Sequence, residues 1–151
     1  MARAQKVVPE LYVSDIGQSL SFYLHVCGFD VLYDRPEDKF IFLVHRSGAE
    51  LMLEQPVDAE RILLADVPER PYGRGVNLQI EVIDVDGLYE RAVAAGSRVV
   101  LELEERWYRA DAVELGNRQF VVQDPDGYLL RFFRDLGERP VAVDRVFAAA
   151  R

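Results

Sequence analysis

Phe120-Val121-Val122-Gln123-Asp124-Pro125-Asp126-Gly127-Tyr128-Leu129-Leu130-Arg131-Phe132-Phe133 sets two β-patterned runs on either side of a compact breaker cluster. The stretch reads as a hairpin. Pro125 fixes φ at the first corner and pushes Asp124 towards an extended conformation. Asp126 is expected to bond its own backbone, and Gly127 tolerates the positive φ that closes the turn. Alternation along the outgoing strand sends Leu129, Arg131 and Phe133 to one face of a sheet.

Upstream of this hairpin the chain repeats one order of elements. Residues from Lys6 alternate, with Leu11 and Val13 on one face and Val8, Glu10 and Tyr12 on the other, as in a half-buried strand. Asp15 suits an N-cap, Ile16, Leu20, Tyr23 and Val26 recur at helical spacing, and Gly28 is a fitting stop. Phe29–Tyr33, Phe40–Val44 and Glu50–Glu54 then read as three strands joined by polar breaks. Gln55 to Gly75, with its prolines and glycines, is a connector with room for a helical turn at Ile62-Leu63-Leu64.

Val76 to Val82 alternates strictly, Asp84 caps a helix carrying Val85, Leu88, Tyr89 and Val93, and Gly96 ends it. Arg98–Leu103 is a strand, Glu104–Asn117 is irregular or partly extended, and the hairpin supplies the last two strands. The repeat keeps register: Val13-Ser14-Asp15-Ile16 matches Val82-Ile83-Asp84-Val85, and Gly48 matches Gly127. The expected fold is therefore α+β, two tandem βαβββ modules forming a cupped eight-stranded mixed sheet with helices outside. One domain is expected over residues 1–151: module one at 6–55, connector 56–74, module two 75–134 and a tail at 135–151 that packs as an arm on its own domain or on another subunit.

The formal net charge of −8 disfavours nucleic acid as a partner, because phosphate binding needs clustered Lys and Arg. No apolar run is long enough to span a membrane and no signal-peptide core precedes the first strand, so the expectation is a cytoplasmic protein without a membrane partner. The single cysteine, Cys27, lies among apolar residues and is expected to be buried and inert. His25 and His45 end elements without a second histidine at metal-ligand spacing, and both are expected at the surface.

Val13-Ser14-Asp15, Ser21-Phe22-Tyr23 and Cys27-Gly28-Phe29, together with Asn117-Arg118-Gln119-Phe120 and Asp124 through Phe132, resemble the vicinal oxygen chelate superfamily of glyoxalases, bleomycin-resistance proteins and extradiol dioxygenases. The resemblance covers residues 6–134. It implies a homodimer with clefts formed by paired modules. Catalytic members hold a divalent metal on the first and fourth strands of each module. The corresponding positions here are Val8, Met52, Asn77 and Arg131, which offer no donor, a soft thioether, a weak amide oxygen and a fixed positive charge. No metal and no other cofactor is expected.

What the resemblance then implies is the metal-free, bleomycin-resistance-like branch: a dimeric binder that sequesters a cationic or aromatic drug-like ligand. Residues of the open sheet faces are the candidates for binding it, namely Glu10, Tyr12, Met52, Glu54, Asn77, Gln79, Glu81, Arg131 and Phe133, with Trp107 and Tyr108 as stacking surfaces. Leu115 stands where family members often place an aromatic groove residue. Arg131 has two readings: a ligand's anionic group, or an ion pair with Glu81 or Glu54 across the cup. The alternatives to a binder are a metal-dependent lyase, isomerase or dioxygenase with atypical ligands, and a structural or regulatory dimer.

Overall fold

A computed structural model of the chain describes residues 6–57, 63, 64, 66 and 68–142. Alternation in sequence becomes eight strands: β1 (Glu10–Tyr12), β2 (Phe29–Arg35), β3 (Phe40–His45), β4 (Glu50–Glu54), β5 (Asn77–Glu81), β6 (Val99–Ala110), β7 (Val113–Gln123) and β8 (Leu129–Pro140). Helices α1 (Ile16–Ser21) and α2 (Val85–Ala94) follow β1 and β5, which is the tandem βαβββ plan. The strands form two four-stranded mixed sheets, ordered β1-β4-β3-β2 and β5-β8-β7-β6, with β1 parallel to β4 and β5 parallel to β8. The expected eight-stranded cup is thus built from two sheets whose first strands are edges.

Both helices start and stop on the residues that chemistry favours. Asp15 accepts from the Gln18 amide at 3.0 Å and Asp84 from the Gly87 amide at 2.9 Å, each satisfying an amide that the helix leaves unpaired. Gly28 and Gly96 follow at φ of 80° and 72°. The first helix widens over Phe22–Val26 into a π-helical turn, with the Cys27 amide reaching back to Phe22 at 3.2 Å. Phe22, Tyr23, Val26 and Cys27 are all buried as a result.

The inner faces of both sheets meet these helices in one core. Leu11, Val13, Leu43, Leu51 and Leu53 from the first module join Ile80, Val85, Leu88, Phe120, Leu130 and Phe132 from the second. Phe120 and Phe132 are fully buried and stacked 5.8 Å apart, and burial of each is worth ~2–3 kcal/mol. At the turn between β7 and β8, Tyr23 donates to Asp124 at 2.8 Å and Ser14 donates its amide and hydroxyl to Asp126 at 2.9 and 2.5 Å, so the hairpin also ties the two modules together.

Four expectations need correction. Glu104–Asn117 is not irregular: β6 and β7 run straight through it as a long ribbon, turning at Asp111 and Ala112 with Asp111 at φ 54°. β8 continues past residue 134 to Pro140, with a register shift opposite Gly116 and Asn117, so the first part of the expected tail is strand. The rest of the tail beyond residue 142, and Ile62 of the expected helical turn, lie outside the described residues. β1 begins only at Glu10, because Pro9 has no N–H to donate, although its carbonyl accepts from Met52 at 2.8 Å. Among the described residues no helix is long and apolar enough to cross a membrane.

His45 is the fourth correction, since it is buried rather than at the surface and its ring packs 5.1 Å from that of Phe29. The Ser47 amide donates to its Nδ1 at 3.1 Å, which makes Nδ1 the acceptor and leaves the ring proton on Nε2. Burial, then the nearby Arg46 charge, lowers its pKa below the ordinary histidine value, with Asp30 opposing. A folded-state pKa below the unfolded value of about 6.5 means that stability is present above that pH and is lost as acid protonates the ring. Urea melts between pH 7 and pH 5 should show falling stability that His45→Gln flattens; an unchanged slope in the variant would refute this role.

Candidate functional site

Strand pairing decides which side chains meet on the open face of the second sheet. Asn77, Gln79 and Glu81 of β5 lie beside Leu129, Arg131 and Phe133 of β8, and β7 places Val121 across from Arg131 and Gln119 across from Phe133. Because Leu130 and Phe132 are fully buried on the inner face, alternation turns Arg131 and Phe133 outward. The ribbon of β6 and β7 rises beside them. Together they enclose a cavity of ≈ 440 Å³ lined by Gln79, Tyr108, Leu115, Asn117, Arg131 and Phe133, with Asp135, Gly137 and Glu138 at the end near the ribbon.

Gln119 anchors one wall. It is fully buried, and its Nε2 donates to Glu104 Oε1 at 3.1 Å and to the Tyr108 hydroxyl at 2.6 Å. The Glu104 carboxylate can only accept, so the amide orientation is set and Gln119 Oε1 points away from it. That oxygen is buried with no hydrogen-bond partner among the described residues. Arg131 Nε is buried and unpartnered among them as well. The expected ion pair of Arg131 with Glu81 or Glu54 does not form, and among the described residues its guanidinium pairs with no carboxylate.

Four of the candidate binding residues, Gln79, Tyr108, Arg131 and Phe133, therefore come together around one cavity. Asn77 and Glu81 share their face on β5 without lining it. Glu10, Tyr12, Met52 and Glu54 form a separate group on the open face of the first sheet, where Glu10 pairs with Met52 and Tyr12 with Glu54. There Phe42 is buried against Tyr33, their rings 5.1 Å apart, and the Tyr12 hydroxyl accepts from the Leu63 amide of the connector at 3.1 Å.

Trp107 does not join Tyr108. Neighbouring residues on a strand face opposite ways, and Trp107 lies on Gly116, where a Cβ would stand 2.7 Å from its ring, with the Arg139 guanidinium 4.2 Å from the ring centroid. Arg139 also donates to the buried Glu114 at 2.6 Å. Trp107 is a packing residue of the ribbon.

Sequence reasoning missed Gln119, Asn117, Asp135 and Glu138. Reading Glu104–Asn117 and the start of the tail as strand would have exposed Asn117, Gln119 and Asp135, since alternation from Phe133 predicts the face of Asp135 and pairing predicts those of Asn117 and Gln119, whereas Glu138 reaches that face only through the register shift opposite Gly116 and Asn117.

At Val8, Met52, Asn77 and Arg131, the positions to which the resemblance assigns metal ligands, the side chains do not make a donor set for a divalent ion. Met52 has Glu10 as its cross-strand partner, Arg131 has Gln79, and a guanidinium at the second place repels a cation. Among the described residues no group of three His, Cys, Asp or Glu side chains is placed to hold a metal ion.

Known proteins agree with this architecture. A bleomycin resistance protein of Geobacillus stearothermophilus is 27% identical over 135 residues, covering 85% of this chain and 96% of its own length. An uncharacterised Mycobacterium bovis protein is 31% identical over 148 residues, covering 93% of this chain and 89% of its own. Among solved structures, TioX from Micromonospora sp. ML1 superposes with a TM-score of 0.65 at 24% identity, covering 88% of this chain and all of TioX, and so shows the shared fold. A protein of unknown function from Agrobacterium tumefaciens has a TM-score of 0.64 at 26% identity, covering 90% of this chain and 98% of its own. The model of the Glyoxalase/Bleomycin resistance protein/Dioxygenase superfamily matches residues 5–132, and the chain belongs to that superfamily.

Proposed function

We propose that this protein binds an aromatic, drug-like small molecule without transforming it, as a dimer and without a metal. The observation that carries the reading is the cavity on the open face of β5–β8, lined by Arg131 at a position where the family resemblance implies a metal ligand in catalytic members. Phe133, Tyr108 and Leu115 offer ring-sized apolar surface, while Gln79 and Asn117 offer polar contacts, the mixture that small-molecule sites use. Asp135 and Glu138 give the end near the ribbon a negative wall that suits a cationic group on the ligand. Tyr108 and Leu115 are 39% and 41% exposed, and a second subunit laid over the ribbon would cover them and close the groove.

Binding is tested by thermal shift against bleomycin-type glycopeptides, thiol conjugates and aromatic acids, with mass spectrometry of the recovered compound. A bound ligand at 100 times its Kd should raise stability by about 2.7 kcal/mol and be recovered unchanged. Stoichiometric metal in protein purified without chelator, or a transformed ligand, would overturn the reading.

A further inference from the structure

Arg131 lines the cavity and pairs with no carboxylate among the described residues, and two buried polar atoms, one of them its own, are left unsatisfied by them. Arg131 Nε is buried without an acceptor, and Gln119 Oε1, on the same open face, is buried without a donor. Burying an unpaired polar group costs free energy, more so when the group is charged, and native structures rarely tolerate it without a compensating partner. Gln79, the cross-strand partner of Arg131 and the polar cavity residue beside it, is neutral and does not balance the guanidinium. Asp135 is four residues further along β8, which is about 13 Å at strand spacing, and Glu138 lies beyond it.

We propose that the occupant of this cavity carries a carboxylate, bound by the Arg131 guanidinium, on a flat aromatic frame that rests against Phe133 and Tyr108. This rests on the binding function proposed above and names the chemical class of its ligand. A planar carboxylate presents two acceptor oxygens in the geometry of a guanidinium fork, and such charge-assisted pairs are stronger than neutral ones. The ring satisfies the aromatic walls through stacking. An aromatic acid of this kind gives the Arg131 guanidinium its counter-charge; a purely cationic aromatic would set a positive group against it.

The test uses one ring system in three charge states: 2-naphthoate, 2-naphthamide and 2-naphthylmethylamine, titrated into the full-length protein by calorimetry and ligand-observed NMR. The expected result is that 2-naphthoate binds at least about tenfold more tightly than the amide. Arg131→Met should erase the preference for acid over amide. Arg131→Lys should keep part of it, because a point charge replaces the fork. Amide or amine binding as tight as the acid in the unaltered protein would overturn the carboxylate assignment while preserving the binding function. No binding by any of the three at millimolar concentration would overturn the carboxylate assignment, and the thermal-shift screen above then decides the binding function separately. The comparison within the unaltered protein decides the matter even if a variant misfolds.

Discussion

Asp124→Ala is expected to destabilise the protein by about 4 kcal/mol. Asp124 is nearly inaccessible, and its Oδ1 accepts from the amides of Asp126, Gly127 and Tyr128, each at 2.9 Å. Its Oδ2 accepts from the Tyr23 hydroxyl of the first helical segment. Truncation removes all four bonds and strands several donors in a site that water reaches poorly, at ~1–3 kcal/mol for each group left wholly unsatisfied. Burial raises the pKa of this carboxyl and is the largest influence on it, with the hydrogen-bond donors acting in the opposite direction. What the three amides of the turn use is an accepting oxygen, which an amide side chain also offers. Asp124→Asn keeps an oxygen for the three amides, and the Tyr23 hydroxyl can accept from its NH2 group, so its cost should be about 1 kcal/mol. Urea denaturation followed by circular dichroism measures both. An alanine variant within about 1 kcal/mol of the parent would show that the hairpin does not depend on this carboxylate.

That site also shows what a sequence can and cannot reveal. Asp124-Pro125-Asp126-Gly127 announces a turn, and the turn is there, with Gly127 at φ 102°. The aspartate that bonds the backbone is not the expected one. Asp126 spends its oxygens on Ser14 and on Arg70, residues more than 50 positions away, and Asp124 organises the loop instead. Local chemistry predicts that one carboxylate will do so, but the choice depends on long-range partners.

The same division runs through the rest of the molecule. Helix limits at Asp15, Gly28, Asp84 and Gly96 were legible because caps are local. The ribbon of β6 and β7 was not, because Glu104-Glu105-Arg106-Trp107-Tyr108-Arg109 has little inside-outside contrast to betray a strand that no helix backs; cross-strand pairing alone orders it. The burial of His45 could have been read, since it continues the inward set Ile41 and Leu43. At the site, alternation put Gln79, Arg131 and Phe133 on one face. The separation of the Glu10 and Met52 group into another sheet needed the observed pairing of β1 with β4 and of β5 with β8.

Gly127→Ala should cost about 3 kcal/mol, and a second glycine variant separates its two causes. At φ 102° any L side chain is strained, a penalty of ~1–2 kcal/mol. In addition, a Cβ on Gly127 would meet Pro71 of the connector at 2.5 Å from its Cβ and 2.7 Å from its Cα. Backbone cannot swing aside as a flexible side chain can, and the Tyr72 amide next to it donates to the Asp126 carbonyl at 2.9 Å, holding the connector against the turn. Overpacking of this kind costs ~1–3 kcal/mol more. Gly137 lies at φ 87° in the strand extension, and a Cβ there would meet none of the described residues within 4 Å, so Gly137→Ala carries the backbone strain alone, about 1 kcal/mol. Equal destabilisation by the two substitutions in urea would mean that the connector does not press on the turn. A gap of roughly 2 kcal/mol would show that it does, and that the hairpin's fit to the connector helps to hold the two modules in place.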